Sequence, residues 1–180
     1  LLEQKAPELF TLIESDTATS ISYIDRYLNS PWSLMLLEGF LRVFSTDTKD
    51  ISITTVESSA NKAGFLMNHD WQNSSDQRDT LSGWIEITTG VKPKVTLVDK
   101  PYKISHGRLL KVEWASGKIS QLILDQGMGY WRPRMPYRDQ MEFDFSISIE
   151  DQLKGMNDKS DIALMNNSGN WPTFITAIPS

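Results

Sequence analysis

The segment Ile104-Ser-His106-Gly-Arg108-Leu-Leu-Lys111-Val-Glu113-Trp114 carries one of the chain's two histidines, with an arginine two residues on. In an extended strand, positions i and i+2 share a face. His106 and Arg108 would then set an imidazole beside a guanidinium, a pairing that can hold a phosphate or attack one. A second run, Ile119 to Arg134, brings Asp125 to the end of a strand. There it can orient His106 or Arg108, or simply cap the Gln126-Gly127 turn. Asp25 closes an earlier apolar segment, where α/β sheets gather ligands beyond the carboxyl ends of their strands. A local Asx turn or a helix cap is the alternative role for it. Trp131, Arg132, Arg134, Tyr137 and Arg138 add a basic, aromatic cluster that can meet a phosphate or a single strand. Pro133 and Pro136 equally fit an irregular loop whose aromatics cover the core.

The elements that would position these residues follow from periodicity. A helical pattern spans Pro7 to Ile13, and Ser20 to Ile24 reads as a short buried strand. Ser30-Pro31 is a helix start, serine as N-cap and proline at the first helical position. The spacing predicts a helix from Trp32 to about Phe44, with Leu34, Leu37, Leu41 and Phe44 on one stripe. Met35, Leu36, Phe40 and Val43 widen that stripe, as in a helix buried on two sides. Ile51 to Val56 alternates as a second strand, giving a βαβ unit with parallel strands. Leu81, Trp84, Ile85 and Thr88 fall at helical spacing before a stop at Gly90. Val95 to Val98 is a third strand, and Ile104–Trp114 with Ile119–Leu124 form a hairpin around Gly117. Phe143 to Ile149 alternates as a last strand leading into Glu150 to Met156. The tail beyond Asn157 is rich in Asn, Ser and Gly, with Trp171 and Phe174 as docking points. The whole is an α/β fold, a mixed β-sheet flanked by helices.

Bulk properties narrow the function. With 39% hydrophobic and 23% charged residues, 180 residues form an ordinary globular domain. No run approaches the roughly 18 apolar residues of a membrane span. Zero cysteines exclude disulfides and thiolate metal sites and suit the cytoplasm. His69 and His106 stand 37 residues apart without a second ligand at metal spacing, so neither a metal nor a cofactor is expected. A net charge of −5 argues against nonspecific duplex binding over the whole surface. The chain opens at Leu1 without methionine or signal-peptide pattern, which reads as a piece of a larger protein.

Tyr23-Ile-Asp25-Arg26-Tyr27-Leu28, then a helix, then His106-Gly-Arg108 in a hairpin strand, resembles the phospholipase D superfamily. Nearest is the phospholipase D-like C-terminal domain of microtubule-interacting-and-trafficking (MIT) proteins. Gly117 and Leu124-Asp125-Gln-Gly127-Met-Gly129-Tyr-Trp131 supply the second block of the resemblance. It implies a single-motif half of that fold over residues 20–156, with 1–19 an extension or linker and 157–180 a tail packing on the domain. In catalytic members a His-x-Lys motif supplies a nucleophilic histidine and a phosphate-neutralising lysine, followed by an aspartate. Here arginine stands for lysine and Glu113 for the aspartate, and the downstream serine and asparagine are absent. Those departures fit a pseudoenzyme, because misplacement by about 1 Å costs roughly two orders of magnitude in rate.

The resemblance therefore implies a degenerate module recognising a phosphate-bearing ligand, a nucleic-acid backbone ahead of a lipid head group, within a larger prokaryotic protein of the kind that includes defence-associated ones. His106, Arg108, Trp131, Arg132, Arg134 and Arg138 would touch the ligand, with Asp25, Glu113 and Asp125 behind them. Homodimerisation and contacts to other domains of the parent are the expected partnerships. One alternative is a dimeric, metal-independent phosphodiesterase or nuclease with His106 catalytic. The other is a protein-interaction scaffold docking through Trp71, Trp131 and Trp171.

Overall fold

The computed structural model describes residues 3, 6–28, 31–44, 47–57, 73–124, 146–159 and 175–178. Its helices and strands in chain order are α1 (Pro7–Ser15), β1 (Ala18–Asp25), α2 (Pro31–Leu41), β2 (Asp50–Val56), α3 (Ser74–Thr89), β3 (Lys94–Val98), β4 (Arg108–Trp114), β5 (Ile119–Leu124), α4 (Ile149–Lys159) and β6 (Ile175–Ile178). The strands form one mixed sheet in the order β3-β2-β1-β4-β5-β6. β1 pairs parallel with β2 and antiparallel with β4, so the sheet changes sense at β1.

Alternation builds one buried sheet face. Ile21, Tyr23, Ile51, Ile53, Leu110 and Val112 are all buried, while Ser20, Ser22, Ser52, Thr54 and Lys111 between them are half-exposed. Leu34, Leu37 and Leu41 of α2 and Leu81, Trp84 and Ile85 of α3 close the same core. α3 has a complete set of end signals. Asn73 accepts from the Asp76 N–H at 2.9 Å, and Gly90 ends the helix in the left-handed region at φ +73°. Gln77, buried in the first turn, donates to the Val56 carbonyl at 3.1 Å and ties α3 to the end of β2.

The predicted stripe Leu34, Leu37, Leu41 and Phe44 is buried. Val43, expected to widen it, is exposed. The helix stops at Leu41, and tighter bonds from Val43 N–H to the Phe40 carbonyl and from Phe44 N–H to that of Leu41 swing Val43 outward. A second correction falls at 146–149. Ile149 begins α4 instead of ending a strand, because Ser148 caps that helix, its hydroxyl accepting from the Asp151 N–H at 3.1 Å. The hairpin also starts later than predicted. Pro101–Lys103 form one 3-10 turn, and β4 begins only at Arg108. The tail contributes β6, antiparallel to β5. Among the described residues, no helix is long and apolar enough to cross a membrane.

Candidate functional site

Asp25 is the last residue of β1 and Arg108 the first of β4. The antiparallel register that pairs Tyr23 with Leu110 and Ile24 with Leu109 brings these two strand ends together. Asp25 is buried, and Arg108 Nε lies 3.6 Å from its Oδ1. The Tyr23 hydroxyl donates to Asp25 Oδ2 at 2.7 Å, and the Tyr27 N–H donates to Oδ1 at 2.8 Å. The second bond is an Asx turn. Asp25 thus has the turn role that its position in the sequence allowed, and pairs with Arg108 besides.

Tyr27 lies over the pair. The Arg108 guanidinium carbon sits 4.8 Å from the Tyr27 ring centre, a cation–π contact, and the ring is 40% exposed. His106 approaches the same ring from the neighbouring loop, its centroid 6.4 Å away at a tilt of 59°. Arg26 fixes that loop: its Nε donates to the Ile104 carbonyl at 2.8 Å, and Nη2 donates to the same oxygen. Arg26 and Tyr27 belong to the Tyr23–Leu28 motif, although the sequence alone gives neither a place in the site. Their signal is the Tyr23-x-Asp25-x-Tyr27 spacing at a strand end, where alternation aims the first two side chains at one buried face.

His106 and Arg108 meet at this site through the Tyr27 ring, which both approach, and not through strand geometry. His106 is exposed in a bend outside the strand, so the i, i+2 rule does not apply to it. Arg108 has only 11% of its side chain exposed and turns inward to Asp25. Glu113 does not back this site either. It pairs with Lys111 at 2.6 Å, and β4 carries it about 17 Å from Arg108, beside Ser20 at the far end of β1. Asp125, Trp131, Arg132, Arg134 and Arg138 lie outside the described residues, as do His69, Trp71 and Trp171. Among the described residues, no group of three or more His, Cys, Asp or Glu is placed to hold a metal ion.

Over residues 1–178 the chain matches the family described as the C-terminal domain of the DEAD/DEAH box helicase YjiV. It belongs to that family. No curated protein matches the chain. Membership in this helicase-associated family overturns the resemblance to the phospholipase D superfamily and to the MIT-protein domain. The degenerate phospholipase D-like phosphate-recognition module that rested on that resemblance goes with it. The family's description, in contrast, fits a domain that works beside other domains of a parent protein.

Proposed function

We propose that this chain is an accessory domain of a cytoplasmic DEAD/DEAH-box helicase, contacting a single nucleic-acid strand by base stacking at Tyr27. One observation carries the reading: an exposed aromatic ring fixed in place by a buried ion pair. A Tyr ring backed by a guanidinium and flanked by an imidazole offers a base a rigid apolar surface that is indifferent to sequence. The family supports it, because a helicase works on nucleic-acid strands. Stacking also suits an acidic chain better than broad backbone attraction does.

The test is fluorescence anisotropy of a labelled oligothymidylate titrated with the chain, comparing Tyr27→Ala with Tyr27→Phe. Stacking of one base contributes about 1–3 kcal/mol. Tyr27→Ala should therefore weaken binding by about 5- to 150-fold, and Tyr27→Phe should keep it within about twofold. Unchanged affinity in Tyr27→Ala refutes the reading, as does a wild-type chain that binds no strand.

A further inference from the structure

The β3 edge concentrates positive charge. Between Val91 and Ile104 stand Lys92, Lys94, Lys100 and Lys103 against the single acid Asp99, in a chain of net charge −5. All four lysines are exposed, and β3 is the outermost strand on its side of the sheet. Val95 and Leu97 pack on the core, so Lys94 and Thr96 point to the opposite sheet face, in register with Ser52 and Thr54. Asp99 is already engaged: Lys103 Nζ donates to it at 2.6 Å, and this bond with the fields of Lys103 and Lys100 holds its carboxyl below the usual range. Glu57, whose N–H donates to the Val98 carbonyl, is the other carboxylate beside the strand end. Among the described residues, Lys92, Lys94 and Lys100 form no salt bridge.

Between Lys100 and Lys103, Tyr102 is 76% exposed, the most exposed of the large hydrophobic side chains described. Lysine on an edge strand can serve only to block strand addition. That role accounts for Lys94, but not for Lys100, Lys103 and Tyr102, which lie past the strand on the 3-10 turn. The turn runs straight into Ile104, which Arg26 clamps beside Tyr27. β1, β2 and β3 run parallel, so Lys100, Tyr102 and Lys103 lie beyond the same strand ends as Tyr27, while Lys92 and Lys94 stand at the start of β3.

We propose that Lys92, Lys94 and Lys100 form an electrostatic track for the backbone of the same single strand, with Tyr102 as a second stacking residue. The inference rests on the strand-contact reading above and extends it from one ring to a path. Each single-strand phosphate neutralised adds about −0.7 to the slope of log affinity against log salt. Three lysines give a slope of about −2, or about a twentyfold loss of affinity between 50 and 200 mM salt.

The experiment titrates the chain into a labelled oligothymidylate about 16 nucleotides long at both salt concentrations. Lys92→Gln/Lys94→Gln/Lys100→Gln should bind more weakly at low salt and lose no more than about twofold across the range. A triple variant that keeps the wild-type slope overturns the track. If Tyr27→Ala still loses affinity in that case, the stacking reading survives alone. A flattened slope with Tyr27→Ala unaffected supports the track and removes the stacking site. A wild-type chain that binds no strand removes both. Competition by polyglutamate as effective as by unlabelled oligonucleotide would reassign the track to an acidic protein segment.

Discussion

Removing Arg108 should be costly because Asp25 has no route to water. Asp25 is 1% exposed, and its short side chain ends a central strand. At 3.6 Å and an effective dielectric of about 20, the attraction of the two charges is on the order of 4–5 kcal/mol. Desolvation offsets part of this. Deleting one partner of such a pair nevertheless typically costs about 3–5 kcal/mol, because the other charge stays buried. We therefore expect Arg108→Met to lose about 3 kcal/mol, the lower end, since 3.6 Å is a Coulombic contact and too long for a good hydrogen bond. Asp25→Asn should cost less, for two reasons. The amide oxygen can still accept from the Tyr27 N–H, and the long Arg108 stem can carry its charge outward. Asp25→Asn/Arg108→Met should cost less than the sum, with a coupling of about 1.5–3 kcal/mol. Urea denaturation at pH 7 and 25 °C reads all four corners of the cycle. Arg108→Met within 0.5 kcal/mol of wild type, with additive single variants, would refute the reasoning.

Glu38 gives a pH-dependent prediction. Burial pushes its carboxyl above the usual range, against the opposing pull of Arg42. A raised folded-state value favours the protonated form, so the stability it contributes is complete at acid pH and is lost as pH rises through that value. Glu38→Gln mimics the protonated form. It should match wild type near pH 4 and become the more stable protein by pH 8; a gap that narrows with rising pH would contradict this. Gly90 caps α3 at φ +73° with open space around it, so only backbone strain opposes a side chain there. Gly90→Ala should lower stability by about 1 kcal/mol, measured by thermal melting, and an unchanged melting temperature would show that the cap relaxes.

Local chemistry made most of the elements legible. The Leu34–Phe44 stripe, the β-branched alternation of β2 and the Gly90 stop each need only neighbours in sequence, and each is present. The failures came where two local signals compete. Ser146 to Ile149 alternates like a strand, but a serine three residues before an aspartate is also a cap, and the cap prevails. His106 and Arg108 have strand spacing, yet Pro101 and the 3-10 turn delay the strand until Arg108. The sequence marked Asp25 as one of three carboxylates behind the site, but not as the direct partner of Arg108, because that pairing depends on β1 and β4 being neighbours. Sequence placed Asp25 at a strand end but Arg108 inside a strand; the later start of β4 and the sheet order bring the two together.

The buried ion pair also explains why the site takes this form. Apolar residues of similar size would fill the position with equal or better stability, so stability alone does not account for Asp25 and Arg108. What the pair supplies is position. Asp25 forms the turn that aims Tyr27, and Arg108 holds the ring from below. This separates stability from function in one variant. Asp25→Asn/Arg108→Met keeps the turn acceptor and removes both charges, so it should fold with less loss than Arg108→Met alone. Tyr27 would nonetheless lose its cation–π support, about 0.5–2 kcal/mol, and with it the fixed orientation of the ring. We expect that double variant to bind an oligothymidylate several-fold more weakly than its stability would suggest. If it binds as wild type does, the pair is a feature of the core, and the Tyr27 surface owes nothing to it.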